Sequence, residues 1–481
     1  MEQGHTEQTP LLGTTAQDAR DSRLSNRLAR WALFTVSILI FVAIILVALF
    51  LPFDYNGDGV QVVPSKLMVK DSKVRIQLGT FRKEGGGQDR KKRKGGLVSD
   101  VLIESLNVNA LTIHVLEAKV SRDGAGGGGE GGVIGDDGTV IGDGHELVGD
   151  EKEPTLMVDR VQSDTGTFLN FFISSPHSQL PDNSDDSKDR NQEHGYGQRE
   201  REETSIVAGR LRLRIEVPLG FAGELTIDGS VLNIEGSSSL AKARFNLLHL
   251  TTDEGDIVLG SDSTGTDIIT TTSEPTLKVG HLYARIHQKG SIHINYMTSS
   301  ERGKPVRANI ETQSGDIVIN ALQTMLSFDV DKEYPVDDEI VQFFSLVTHE
   351  GDIRMTLREG ESLLGPWYVR GFVMVMARAQ GGVIEGRVEI PDLQLLILDA
   401  VSDRNTALEV TEKFIGELTV NSSRRHTATV NPFPGSNHIL RFSHSERTLK
   451  KGKKVRAEDD YLPLGSIHLQ AVDGPANVTF V

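Results

Sequence analysis

The sequence predicts an all-β ectodomain, an irregular β-solenoid or a set of stacked β-sheets, carried on a single N-terminal transmembrane α-helix. Three observations predict it. A short phrase recurs through the C-terminal half: a glycine, a small or acidic residue, then aliphatic residues flanking one outward position. Glycine is abundant (49 of 481 residues) while aromatic residues make up only 6%, a balance that suits a turn-rich, thin-cored β structure. One uncharged apolar run, 31–51, has the length a helix needs to cross the ~30 Å hydrocarbon core. The formal net charge of −16 argues against a nucleic-acid binder. The absence of cysteine closes disulfide, thiolate and Cys-zinc chemistry.

Residues 1–30 are polar and poor in apolar side chains, as expected of a disordered cytosolic tail. Within them, Glu7-Gln8-Thr9-Pro10-Leu11-Leu12 resembles the acidic dileucine sorting signal read by clathrin adaptors. In such a signal an acid (Glu7) meets a basic patch and two leucines (Leu11, Leu12) fill an apolar slot. The plainer alternative is a chance pair of leucines in a flexible segment. The sorting reading implies a clathrin adaptor as partner and a vacuolar or endosomal membrane rather than the plasma membrane.

The run 31–51 is longer than the apolar region of a secretory signal and follows a long polar segment, which argues against cleavage. Arg20, Arg23, Arg27 and Arg30 precede it. Asp54 and Asp58 follow it, with only Lys66 and Lys70 at a comparable distance. The positive-inside rule therefore puts the tail in the cytosol and everything from Pro52 onward in a lumen or outside the cell, a type II single-pass topology. Trp31 and Tyr55 fit as interfacial anchors. Asn421-Ser422-Ser423 and Asn477-Val478-Thr479 are glycosylation sequons, usable only on the lumenal side.

Residues 60–173 read as a membrane-proximal β domain, with strand-like stretches at 67–69, 74–78, 101–103, 111–120 and 156–173. A basic loop (82–96) and an acidic, glycine-dense loop (124–149) interrupt it. Neither holds enough apolar surface to order itself. Residues 174–203 are polar and rich in turn formers, and are expected to be a disordered linker. The basic runs at 90–94 and 450–456 suit an anionic surface, acidic lipid or polyanionic polysaccharide, but a solvated surface is the plainer reading of each.

From 204 to 481 strand follows strand. Over 206–217, Leu211, Leu213 and Ile215 alternate with Arg210, Arg212 and Arg214, the pattern of a half-buried strand. The segments 372–376 (FVMVM) and 393–398 (LQLLIL) are strongly apolar and are expected to be the most deeply buried strands. The repeated phrase appears as Gly255-Asp256-Ile257, Gly315-Asp316-Ile317 and Gly351-Asp352-Ile353, with looser copies beginning at Gly229, Gly290, Gly416 and Gly465. Glycine permits the positive φ of a tight turn, and each copy is too small to bury its own apolar face, so copies must stack or pair. Their spacing, from about 25 to about 65 residues, implies coils of uneven length or paired sheets joined by loops.

The segments Glu311-Thr312-Gln313-Ser314-Gly315-Asp316-Ile317-Val318-Ile319, 251–259 and 348–353 resemble the adhesin-type domains that repeat a Thr-x-Ser-Gly-Asp-Ile phrase along a β-solenoid. That family is widespread in bacteria and has membrane-anchored relatives in fungi. The resemblance covers about 204–481. It implies a non-catalytic scaffold and supplies no active-site residues to carry over.

Asp256, Asp316 and Asp352 hold equivalent places, so a stack could align them. Aligned carboxylates could serve as an acid–base pair, as in solenoid polysaccharide hydrolases, or chelate a cation. The alternative, which we favour, is that an aspartate after a turn glycine bonds nearby backbone amides. Asp54-Tyr55-Asn56-Gly57-Asp58-Gly59 matches the first half of a calcium loop, but the twelfth position is Ser65 where a bidentate glutamate should close the site. His281, His287 and His293 lack metal-ligand spacing and read as scattered surface histidines. No nucleophile elbow, phosphate loop or dinucleotide fingerprint is present.

These readings converge on a non-catalytic ectodomain that serves as a binding or scaffolding surface for an unidentified protein or polysaccharide, with no cofactor, no metal and no nucleic acid. A carbohydrate-active solenoid enzyme using the repeat aspartates is the competing reading, and a lipid-handling membrane-proximal domain a third. The scarcity of exposed-type aromatics speaks against sugar stacking, since Trp367 is the one tryptophan outside the apolar run.

Overall fold

Short apolar-alternating segments broken by glycine corners can only become strands that turn back on one another, and the chain is built this way. The computed structural model describes residues 59–79, 97–123, 133–134, 140–141, 155–174, 206–261, 277–300, 306–323, 341–359, 372–390, 395–456 and 465–481. Residues 58–481 form one compact unit. The described residues are all-β, and no helix among them is long and apolar enough to cross a membrane. The run 31–51, the linker 174–203, most of both interrupting loops, the half calcium loop at 54–58 and Trp367 lie outside the described residues.

The first block supplies β1 (Gly59–Val62), β2 (Lys66–Val69), β3 (Lys73–Leu78), β4 (Leu97–Leu106) and β5 (Leu111–Asp123). A two-residue ladder, β6 (Val133–Ile134) on β7 (Val140–Ile141), lies within the glycine-dense stretch. The hairpin β8 (Thr155–Ser163) and β9 (Gly166–Ser174) closes the block, and β10 (Ile206–Pro218) and β11 (Ala222–Ser237) follow. The chain then alternates front and back strands across a corner: β12 (Arg244–Glu254) and β13 (Ile257–Ser261), β14 (Leu277–Lys289) and β15 (Ile292–Thr298), β16 (Arg307–Ser314) and β17 (Ile317–Gln323). The same alternation gives β18 (Val341–Glu350) and β19 (Ile353–Glu359), β20 (Phe372–Ala379) and β21 (Ile384–Val388), β22 (Leu395–Ser402) and β23 (Thr406–Val410), β24 (Gly416–Asn421) and β25 (Ala428–Asn431). A hairpin, β26 (His438–Ser445) and β27 (Leu449–Arg456), precedes the last pair, β28 (Gly465–Ala471) and β29 (Ala476–Phe480).

Each front strand pairs in parallel with the front strand of the next coil, and each back strand with the next back strand. The long β11 bridges the two blocks of sequence. Its first half pairs with β3 and β12 and its second half with β4 and β13, so hydrogen-bonded ladders run without a break from 59–174 into 206–481. One departure from sequential stacking stands near the C-terminus. The last coil, β28–β29, lies between β22–β23 and β24–β25, and β27 then pairs antiparallel with β24.

The core lies between the two sheets as stacked aliphatic ladders. On the front strands Leu248, Leu282, Ala308, Phe344, Val375, Leu398, Ile467 and Leu418 are neighbours in register, and all are buried. On the back strands Ile234, Ile257, Ile292, Ile317, Ile353 and Ile384 do the same. Burying one such aliphatic side chain contributes roughly 1.5–3 kcal/mol, so a coil is worth adding only because its neighbour covers both of its inner faces. In β10, Leu211, Leu213 and Ile215 face this core, while Arg210 and Arg214 pair outward with Asp100 and Glu104 of β4 at 3.2 and 2.8 Å. The expectation that 372–376 and 393–398 would be the most deeply buried strands is corrected, since each strand buries one face as its neighbours do. In β20 Val373, Val375 and Ala377 are buried but Met376 is exposed, and in β22 Leu396 and Leu398 are buried but Leu395 and Ile397 only half so. A coil of two sheets has one inner face per strand, and the intervening apolar residues lie on the outer one.

Candidate functional site

The corners are where the repeated phrase meets its neighbours. Gly255, Gly290, Gly315 and Gly351 each turn the chain from a front strand to a back strand, with φ of 119°, 151°, 144° and 158°. They also stack on one another. A Cβ on Gly315 would lie 2.1 Å from the carbonyl oxygen of Gly290, and one on Gly351 2.1 Å from that of Gly315. Three residues before the corner, buried Thr312 and Thr348 donate to the Gly290 and Gly315 carbonyls at 2.7 and 2.8 Å. Thr252, in the same place, donates to its own coil's Glu254 carbonyl at 2.7 Å.

The second residue of each corner, after glycine in four coils and after Leu232 in the first, forms a side-chain ladder along the stack. Asn233 Oδ1 accepts from the Asp256 N–H at 3.1 Å, and Asp256 Oδ1 from the Ser291 N–H at 2.7 Å. Ser291 Oγ accepts from the Asp316 N–H at 3.2 Å, and Asp316 Oδ1 from the Asp352 N–H at 2.9 Å. Asp352 Oδ1 then accepts from the Val383 N–H at 3.0 Å. Every link joins one coil to the next, so one oxygen of each of the three carboxylates is committed to an orphan corner amide. Asn and Ser occupy rungs equivalent to Asp, and neither can exchange protons as a carboxyl does.

Not every copy of the phrase is a corner. Gly229 lies inside β11 with the corner three residues later at Leu232-Asn233, because Ile234 rather than Val231 pairs with Ile257. Gly416 and Gly465 begin front strands and stack on each other, the Gly465 carbonyl lying 2.3 Å from a Cβ on Gly416. The corners of the later coils are instead Gly382-Val383, Arg404-Asn405 and Gly474-Pro475, whose successors Ile384, Thr406 and Ala476 continue the register from Ile353. Sequence reasoning missed Asn233 and Val383 as corner positions, while Ser291 was legible as the small polar residue after Gly290.

The outer faces carry cross-strand polar pairs. Arg285 bonds Glu311 at 3.0 Å, Asp399 receives both Arg378 and His468 (the latter at 2.8 Å), and His249 meets the Tyr283 ring edge-on at 4.5 Å. His293 is not a plain surface histidine. It is half-buried on the back sheet, where burial pushes its imidazole below the usual histidine range while Asp256 and Asp316 oppose that shift. His249 is lowered in the same way, chiefly by burial, with Asp228 opposing.

A second polar cluster closes the C-terminal end. Lys454 points inward from β27, is 1% exposed, and sits 4.4 Å from the centre of the Phe480 ring. Its ammonium donates to Glu412 Oε2 at 2.9 Å and to the Glu412 carbonyl, and His438 Nδ1 lies 2.7 Å from Glu412 Oε1. Burial lowers the Lys454 ammonium, and Glu412 opposes the shift. The cluster satisfies its own charges at the place where the core would otherwise open. In the sequence it was hidden within the basic run 450–456, where only strand alternation distinguishes an inward lysine.

Asn421 ends β24 and Asn477 lies in β29, both half-buried, and Asn477 Oδ1 accepts from Thr429 Oγ1. Glu7, Leu11 and Leu12 lie outside the described residues. Among the described residues no three His, Cys, Asp or Glu side chains converge as a metal ion requires.

No family model and no curated protein matches the chain. Among solved structures, the crystal structure of a "putative cell adhesion protein" from Clostridium sporogenes ATCC 15579 aligns over 88% of this chain and 99% of its own, at 9% identity and a TM-score of 0.14. At that TM-score the alignment carries no argument about either fold or function.

Proposed function

We propose that this chain is a type II, single-pass membrane protein whose ectodomain is a non-catalytic β-scaffold presenting a binding surface in a vacuolar or endosomal lumen. The observation that carries the non-catalytic reading is the corner ladder. Asp256, Asp316 and Asp352 each accept a backbone N–H of the next coil, a task that Asn233 and Ser291 perform on equivalent rungs. The irregular adhesin-like solenoid suits that task, because stacked coils hold a rigid outer face whose residues can vary without disturbing the core. The cross-strand pairs around Asp399 and Arg285 are the kind of polar surface a protein or polysaccharide ligand would meet.

Anchoring rests on the apolar run 31–51, the arginines before it and the aspartates after it. Traffic through a clathrin adaptor rests on Glu7, Leu11 and Leu12. The test is gel mobility of the full-length protein before and after enzymatic removal of N-glycans, with Asn421→Gln and Asn477→Gln alongside protease protection in sealed membranes. A glycan shift abolished by the two substitutions, on a protease-protected chain, is expected. An unshifted chain fully digested in sealed membranes would reverse the topology.

A further inference from the structure

The hydrogen-bonded stack has two ends with different chemistry. In register order it runs β1, β8, β9, β3, β11, β12, β14, β16, β18, β20, β22, β28, β24, β27, β26. At ~4.8 Å per strand this places β26 about 65 Å from β1. β1 is the first strand after the apolar run, and β26 is the opposite edge.

That far edge is basic and greasy at once. Between 421 and 456 the chain holds nine lysines and arginines and one acidic residue, Glu446, in a protein of net charge −16. Arg441 and Lys453 are in register on the outer face of the hairpin, with Lys451 beside His444. Arg424 and Arg425 are exposed in the turn after β24, and the Arg447 guanidinium bonds the Arg425 carbonyl at 3.2 Å. Phe433, Ile439 and Phe442 are exposed at 43%, 42% and 41%; Ile439, opposite Val455, shares the face of Arg441 and Lys453, while Phe442, opposite Gly452, flanks the same edge strand on its other face. They include the two phenylalanines that are exposed among the described residues.

Edge protection alone accounts for half of this. Lysines and the bulge between Phe442 and His444 discourage another chain from pairing with β26. Exposed Phe442 and Ile439 would work against that purpose. A polyanion such as heparin or RNA would use the cations and could stack on phenylalanine, but it gives Ile439 nothing to do. A bilayer surface of anionic phospholipid uses both sets, cations at the phosphates and apolar tips in the interface.

We propose that the β26–β27 hairpin and its flanking turns are a docking surface for an anionic phospholipid bilayer. Resting on the anchored reading above, that bilayer is a second one, distinct from the membrane that anchors the chain.

The test places the full chain in phosphatidylcholine nanodiscs and floats them with vesicles of phosphatidylcholine alone or with added phosphatidylserine. Capture only by the phosphatidylserine vesicles, weakening with salt, is expected. Lys451→Gln with Lys453→Gln should lower it about 25-fold, at about fivefold for each surface cation. Ile439→Ser with Phe442→Ser should lower it about tenfold or more. Arg424→Gln with Arg425→Gln, in a turn, serves if either pair lowers the melting temperature. Equal capture by both vesicle types, or no capture of folded protein, would overturn the proposal. Retention on heparin or RNA that depends on Lys451 and Lys453, without vesicle capture, would overturn it in favour of a polyanion site. Failure to enter nanodiscs would overturn the anchor alone, and the free chain floated directly would still test the hairpin.

Discussion

Alanine at three glycines separates the two costs that the corner imposes. Gly220 has φ +73° and nothing within 4 Å of an added Cβ, so Gly220→Ala meets the left-handed penalty alone, about 1–2 kcal/mol. Gly382 carries no positive-φ constraint, but its Cβ would lie 1.7 Å from the Gly351 carbonyl oxygen. Gly382→Ala therefore meets overpacking alone, about 1–3 kcal/mol as the coils move apart. Gly315 meets both, with φ +144° and the Gly290 oxygen at 2.1 Å, so Gly315→Ala should cost about 2–5 kcal/mol. Coils stacked on nearest neighbours can open locally, so the assay pairs far-UV thermal melts with hydrogen exchange of peptides covering Ile292, Ile317 and Ile353. Gly315→Ala should accelerate exchange in all three peptides and lower the melting temperature most, while Gly220→Ala should leave the three peptides unchanged. Equal effects of Gly220→Ala and Gly315→Ala would refute the stacking argument, because backbone conformation alone would then explain both.

Two further predictions come from the titratable groups. Glu412→Ala leaves the buried Lys454 ammonium without its carboxylate and should cost about 3–5 kcal/mol, whereas Lys454→Met should be nearly neutral, since Glu412 keeps His438; urea unfolding read at the C-terminal coils checks the contrast. Burial holds the His249 and His293 imidazoles below the ordinary histidine value of about 6.5, so above that pH they contribute no pH dependence. As pH falls below it the unfolded chain takes up protons first, and stability should drop by up to about 1.4 kcal/mol per pH unit for each. His249→Gln with His293→Gln should flatten melting temperature against pH below about 6.5, and an unchanged slope would show that neither imidazole is responsible.

The strands were legible because period-two alternation is a local signal, as Leu211, Leu213 and Ile215 show. The Gly-Asp-Ile corners were legible because three adjacent letters supply the turn, the acceptor and the inward aliphatic residue. What escaped was non-local. Leu232-Asn233 and Arg404-Asn405 meet the same corner geometry without the same letters, while Gly416 and Gly465 carry the letters for a different purpose, close packing of two front strands. The insertion of β28–β29 between earlier coils depends on contacts across tens of residues, which no local pattern encodes. Lys454 was unreadable as a buried residue because the lysines around it face solvent.

The most direct test of the ladder compares Asp256, Asp316 and Asp352 changed together to Asn with the same three changed to Ala. Asparagine keeps an oxygen for each next-coil amide, so the Asn variant should melt close to the parent. The Ala variant should lose about 1 kcal/mol or more at each rung. If the Asn variant falls as far as the Ala variant, the negative charge itself is required, and the aspartates are a cation or catalytic site rather than a hydrogen-bonded seam.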